Sequence, residues 1–183
     1  MSDAASPFLD SLQQSSKGPR GPYSSPGPQF KRYEYKEEGL SIRFPNPPER
    51  TTKTLVVGTS TAPQVRYEST YGDRDYGFTC SELPFEATAE VSPEQLDIVL
   101  DQAVRNSLRD VKLKEDRRSH WVTLGIKTLS AEGANDEGFV GRVDVLYRNR
   151  KFYIFVAVVP RAILPSVEMS GFFDSIKWLD QQN

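Results

Sequence analysis

One histidine, His120, and one cysteine, Cys80, are the chain's entire stock of imidazole and thiol. They are the only Cys/His arrangement on offer for nucleophilic catalysis, which needs a thiolate beside a base. His120 stands at a strand entrance beside Trp121. Cys80 reads as a small apolar residue within a strand, a common place for a free cysteine, so packing is the favoured role. Zinc sites draw on several His and Cys ligands, and a zinc site of that kind has too few here. The run Glu132-Gly133-Ala134-Asn135-Asp136-Glu137 offers oxygen ligands. It lacks the D-x-D-x-D-G spacing of a calcium loop and reads as a polar hairpin loop. No helix is opened by G-x-x-x-x-G-K-[ST] or G-x-G-x-x-G, so no phosphate cradle is expected. Glu82, Glu86 and Glu90 flank the start of a helix, where acids suit its N-terminal dipole. No catalytic, cofactor-binding or metal-ligating residue is assigned, and no cofactor is expected.

One charge cluster stands out. Arg105, Arg109 and Lys112 fall at i, i+4 and i+7, on one helix face if the helix persists that far, and Lys114, Arg117 and Arg118 follow. The same helix begins acidic, with Glu90, Glu94, Asp97 and Asp101. Its basic end offers a docking surface for an acidic partner, nucleic acid or anionic lipid. The competing account is dipole complementarity on a solvated face, since cations favour helix C-termini. Asp110, Glu115 and Asp116 dilute the basic character.

These residues need a scaffold, and composition bounds it. At 183 residues the chain suits one domain plus a tail. A formal net charge of -2 argues against bulk nucleic-acid binding. A lone cysteine allows no intramolecular disulfide. No apolar window approaches the length of a spanning helix, and no basic n-region precedes an apolar stretch. The chain as written reads as cytoplasmic, with export requiring a leader removed beforehand. Residues 1–32, rich in Ser, Pro, Gly and Gln, read as a disordered tail of polyproline-II character. Within it, Ser6-Pro7-Phe8-Leu9-Asp10-Ser11-Leu12 carries an N-cap residue, a proline at the first helical position and apolar residues at 8, 9 and 12. That turn is too short to be stable alone. Its FLDSL echoes FFDSI at 172–176, with nothing repeated between the two.

A single domain is expected over 33–183. Leu40, Ile42 and Phe44 alternate with polar residues as a half-buried strand, which Pro45, Pro47 and Pro48 end. Short strands are expected at 53–58, 64–69 and 76–83, with Tyr76, Phe78 and Cys80 on one face. Ser92-Pro93-Glu94-Gln95 then gives a helix start, an N-cap serine followed by proline and by glutamine at N3. Leu96, Val99, Leu100, Ala103, Val104 and Leu108 keep helical spacing, predicting a helix over 93–109. Strands follow at 121–129, 138–148 and 151–159, the last two joined by a tight hairpin at Asn149-Arg150. The run KFYIFVAVV has no polar face, so it belongs mid-sheet with cover on both sides. The helix at 93–109 and a second over 167–180, from Met169, Phe172, Phe173, Ile176 and Leu179, supply that cover. The expected class is α/β (α+β): a mostly antiparallel sheet between helices in three layers. The aromatics Tyr147, Phe152, Tyr153 and Phe155 either line a cleft or pack between sheet and helix.

The pattern resembles the PsbP-like superfamily, which includes the Mog-type Ran-binding proteins. GLSIRFPNPP resembles its opening strand and ELPF the strand end before its main helix. VGRVDVLYRNRKFYIFVAV resembles its paired central strands, and FFDSIKWL its closing helix. The resemblance spans about residues 39–180 and carries no catalytic signature. It implies a three-layer sandwich and an accessory role, docking on a partner complex or helping to assemble it. The plain composition resembles bacterial members of unassigned function most, and nothing in it specifies Ran. Three readings stand: a non-catalytic module that docks on a protein partner, a small carboxylate-dependent hydrolase or transferase, and a binder of nucleic acid or another anionic ligand through the basic end of the helix.

Overall fold

The computed structural model describes residues 27–57, 60–82, 92–123, 126–163 and 165–181. Within them lie β1 (Lys31–Tyr35), β2 (Leu40–Phe44), β3 (Glu49–Val57), β4 (Ser60–Tyr71), β5 (Arg74–Glu82), α1 (Pro93–Asp110), β6 (Lys114–Thr123), β7 (Ile126–Ala134), β8 (Phe139–Arg148), β9 (Lys151–Pro160), α2 (Pro165–Phe173) and β10 (Lys177–Trp178). The tail motif Ser6–Leu12, and Glu86 and Glu90, lie outside the described residues.

β9 is the aliphatic run, and it takes the place its sequence demands. It is the fourth strand of a seven-stranded sheet ordered β3-β4-β5-β9-β8-β7-β6, with every pairing antiparallel. Period-2 alternation divides its side chains between two separate cores. Tyr153, Phe155, Ala157 and Val159 enter one with Tyr67, Tyr76, Phe78, Cys80 and Leu146. Phe152 and Val158 enter the other with Val143, Val145 and the α1 residues Leu100, Val104 and Leu108. The four aromatics that could line a cleft are therefore split: Tyr147 packs at a tilt on Phe152 on the α1 side, and Tyr153 stacks on Phe155 on the far side.

α1 starts as its sequence dictates. Gln95 N–H donates to Ser92 Oγ, Ser92 N–H donates back to Gln95 Oε1, and Pro93 opens the first turn. The helix lies over β8 and β7 rather than over β9. Ile154 and Val156 on β9 thus remain half-buried, and the roof on this face is narrower than the sequence implies.

The other roof differs more. The closing helix is expected over 167–180, yet α2 ends at Phe173. Ser175 pulls the chain away: its hydroxyl donates to Phe172 C=O at 2.6 Å and accepts from Arg43 N–H at 2.8 Å. Arg32 donates to Ser175 C=O. The chain then adds β10 to a small sheet ordered β1-β2-β10 and finishes in a 3-10 turn at Leu179–Gln181. This layer is therefore a helix plus a three-stranded sheet, with Leu40, Ile42, Phe44 and Phe172 fully buried against the large sheet.

The expected single strand at 121–129 is instead the meeting of two. β6 and β7 form a hairpin, with Trp121 opposite Thr128. The apolar run WVTLGIKTL hides the turn within it, and the charged KEDRRS half of β6 hides the strand. The short strands at 53–58 and 64–69 also extend, to 49–57 and 60–71. The far side of β8 is covered rather than solvated. Asp144 is buried, taking a bond from Ser130 at 2.6 Å and a two-point contact from Arg142, whose guanidinium lies between the Trp121 and Phe173 rings.

β1 begins at Lys31, ahead of the boundary expected at Tyr33. Phe30 packs edge-on against Tyr76, and Arg32 donates to Ser41 and Ser175. Deleting residues 1–26 should leave the melting temperature within a degree or so of the full chain, because the deleted Ser/Pro/Gly-rich stretch has little apolar area to bury. Deleting 1–32 should lower it by about 5–10 °C, from the loss of one ring contact and two hydrogen bonds. Equal melting temperatures for the two truncations would refute this account of the first strand.

Candidate functional site

The basic cluster is organised by the corner where α1 turns into β6. α1 ends at Asp110, so Lys112 does not continue its face as the i, i+7 spacing assumed. Lys112 instead takes the left-handed conformation with φ 55°. Its N–H donates to Arg109 C=O at 3.0 Å, and Leu113 N–H donates to Leu108 C=O at 2.9 Å. That pair of bonds is a Schellman motif, with Leu113 and Leu108 making its apolar contact in the α1 core. Leu113 then drops onto Gly141, where an added Cβ would lie 2.6 Å from Leu113 Cδ1 and 2.8 Å from Ala157 O. Gly141 has no side chain because the corner packs there.

β6 leaves this corner with a bulge between Glu115 and Arg117. The bulge resets the alternation, so Glu115 and Arg118 share the face beneath α1 despite an odd spacing. Arg118 forms ion pairs with both Glu115 and Asp101 there, and Asp101 also pairs with Arg105 at 2.8 Å. Arg117 points to the opposite face and meets Glu132 at 2.9 Å. Lys114 meets Asp136 at 3.1 Å.

Four of the six basic residues therefore converge and two do not. Arg105, Arg109, Lys112 and Lys114 line one open depression of about 360 Å³ with Leu108, Leu113 and a single carboxylate, Glu115. Arg117 is spent on Glu132 outside it, and Arg118 on Asp101 and on Glu115 at its rim. Arg109 bonds only Asn106, and Lys112 has no side-chain partner among the described residues. Those two exposed cations are the uncompensated charge of the corner.

The catalytic alternatives can be placed as well. Cys80 is buried on β5, and His120 is exposed on the edge strand β6. Four strand spacings separate β5 from β6, about 19 Å, so the two form no pair. Burial pushes the Cys80 thiol up to about 12, the opposite of what a nucleophile requires. Glu132 and Ala134, expected in a loop, lie on β7. Among the described residues no group of three His, Cys, Asp or Glu side chains is placed to hold a metal ion. No described helix is long and apolar enough to cross a membrane.

Two features were not read from the sequence. A smaller groove of about 110 Å³ runs along the free flank of α1, lined by Gln64, Arg66, Thr79, Ser107, Asp110 and the half-buried Ile154 and Val156. It exists because α1 sits off-centre, which no periodicity reveals. The second is a pair of carboxylates, Glu68 and Asp75, on one face of β4 and β5. Both are raised above the ordinary range, chiefly by burial, and partner Arg66 and Thr70 respectively. Neither lines either of these two depressions.

One helix on an antiparallel sheet, with a helix and a small sheet on its reverse, is a PsbP-like α/β fold. The solution structure of cyanobacterial PsbP (CyanoP) from Synechocystis sp. PCC 6803 matches it with a TM-score of 0.54, covering 88% of this chain and 98% of that one. Sequence identity is 13%, so the likeness is one of fold. A protein of unknown function from Pseudomonas aeruginosa matches over 78% of this chain and 90% of its own at 16% identity, with a TM-score of 0.36 that supports no inference. No family's sequence pattern matches the chain, and no curated protein does.

Two outcomes test the local physics. Lys112→Gly should raise stability by about 1 kcal/mol, since a left-handed residue with a Cβ is strained and Gly is not; chemical denaturation showing a loss instead would overturn the Schellman assignment. Asp75→Asn should stabilise the protein at neutral pH. A raised folded-state carboxyl pKa means the folded form holds its proton longer, so stability falls as pH rises through that interval. The gain over wild type should shrink toward zero as pH drops below the unfolded Asp value of about 3.9. A gain independent of pH would show that the charge is not its cause.

Proposed function

We propose that the chain is a non-catalytic docking module whose α1–β6 corner receives an acidic segment of a protein partner. The observation that carries this is the convergence of Arg105, Arg109, Lys112 and Lys114 around one depression, with Arg109 and Lys112 left without a carboxylate. Leu108 and Leu113 at its floor add an apolar contact that a simple counter-ion would not use. The PsbP-like fold supports an accessory role, as does the sequence resemblance to the PsbP-like and Mog-type group, and within it to bacterial members of unassigned function. The Ser/Pro/Gly-rich residues 1–26 serve in this reading as a tether or second contact to the same partner.

A protein partner fits better than nucleic acid. The net charge is -2, and among the described residues the corner offers two unpaired cations, against the row of phosphate contacts that duplex binding uses. Affinity purification from the native source should recover a stoichiometric protein with the wild-type chain. The reversal Arg109→Glu/Lys112→Glu should lose it, with both chains showing the same melting temperature. Retention of the partner by the reversed chain would exclude the corner. Duplex DNA binding at low salt that collapses as salt rises would replace the protein partner with nucleic acid.

A further inference from the structure

Among the described residues the large sheet has two edges without a further strand, β6 and β3, and they are protected differently. β6 is bulged, and its lysine and arginines are paired internally: Arg117 with Glu132, Arg118 with Glu115, Lys114 with Asp136. Bulges and charges of this kind blunt an edge. β3 pairs with β4 without a break in register from Glu49 to Val57. Every residue from 49 to 54 is exposed, so both faces and the outer edge are open along that length.

Arg50 on this open edge donates to Tyr67 and Thr52, and the edge's other two charges lack such partners. Glu49 and Lys53 share a face, and neither makes an ion pair or side-chain hydrogen bond among the described residues. Glu49 stands directly across from Glu68, an unfavourable like-charge pairing. The backbone is available as well. Val57 pairs with Ser60 across two intervening residues, and a pair flanking a two-residue loop exchanges both hydrogen bonds. Alternation from that pair turns the N–H and C=O groups of Arg50, Thr52 and Thr54 outward. Pro63, opposite Thr54, has no N–H and stands where the β3–β4 ladder requires none, which agrees with this phase.

We propose that this edge pairs with the same edge of a second copy, antiparallel about a two-fold axis through Thr51. The register follows from the chemistry. It sets Arg50 opposite Thr52 of the second copy, and both present outward backbone groups. It sets Thr51 opposite Thr51, a favourable cross-strand pair. It sets each Glu49 opposite Lys53 of the other copy at a non-hydrogen-bonded position, where side chains approach most closely. Two ion pairs form by symmetry, and each brings a cation to the glutamate that faces Glu68. Pro48 lacks the N–H to extend the ladder, so the contact is short and the dimer is weak and concentration-dependent. The interface is self-complementary and closes on itself, which yields a dimer rather than a fibre.

Sedimentation equilibrium of the full chain over a range of concentrations at low salt reads this directly. Wild type should show a monomer–dimer equilibrium that weakens with added salt. Lys53→Glu places glutamates opposite glutamates and should raise the dimer dissociation constant by about tenfold or more. Adding Glu49→Lys to that variant reverses both partners and should restore association to near the wild-type level. Thr52→Pro removes an outward N–H without touching the β4 ladder, and should abolish the dimer while leaving circular dichroism unchanged. A wild-type chain that stays monomeric at every concentration would overturn the proposal. So would a dimer that tolerates Lys53→Glu or Thr52→Pro.

Discussion

A strand with no polar face has one stable position, inside a sheet covered on both sides, and that constraint on β9 organises the rest of the molecule. Burying a side chain such as Phe155, which is fully inaccessible, contributes about 2–3 kcal/mol relative to leaving it in water. The alternation of β9 demands such burial above and below at once. α1 and its partners Val143 and Val145 answer on one side. α2, Phe44 and the small sheet answer on the other. The two cores share a sheet but no side chain, so damage to one roof need not dissolve the other. The strand order follows from the same demand. β8 and β5 flank β9 through antiparallel pairing, and the charged β6 and the threonine-rich β3 fall to the edges, where water can reach them.

The sequence was most legible where one physical rule acted alone. The capping box of α1, the hairpin at Asn149-Arg150 with both residues at positive φ, and the central placement of β9 each follow from a local pattern without a competitor. It was least legible where tertiary contacts overrode local signals. α2 stops at Phe173 because Ser175 bonds into the small sheet. Ile176 keeps the spacing without being helical, and Leu179 belongs to a separate 3-10 turn. β6 escapes a pattern search because an edge strand has little apolar face to alternate, and the β6–β7 turn hides inside an apolar run. β1 is mostly exposed and has little apolar face to alternate, and β10 is only two residues long.

The basic cluster shows the same division. Residue type and proximity in sequence were enough to mark Arg105, Arg109, Lys112, Lys114, Arg117 and Arg118 as a group. They could not say which would face one another. A Schellman turn moves Lys112 off the helix, and a bulge then inverts the alternation of the strand beyond it. Helical spacing held for Arg105 and Arg109, and failed for every residue after Asp110. The off-centre seat of α1, and with it the groove along Ile154 and Val156, has no counterpart in any periodic signal.

Fold stability accounts for only part of the charge at the corner. Exposed ion pairs such as Lys114–Asp136 contribute between about 0 and 1 kcal/mol, and salt screens even that. The helix dipole accounts for a cation in the last turn, where Arg109 sits, but its effect fades within that turn. Lys112 lies beyond it, in a conformation that glycine would adopt without strain. A lysine there is costly to the fold and unneeded by the dipole. It projects a charge with no side-chain partner among the described residues beside Arg109, over an apolar floor of Leu108 and Leu113, so neither the dipole nor an ion pair accounts for its place.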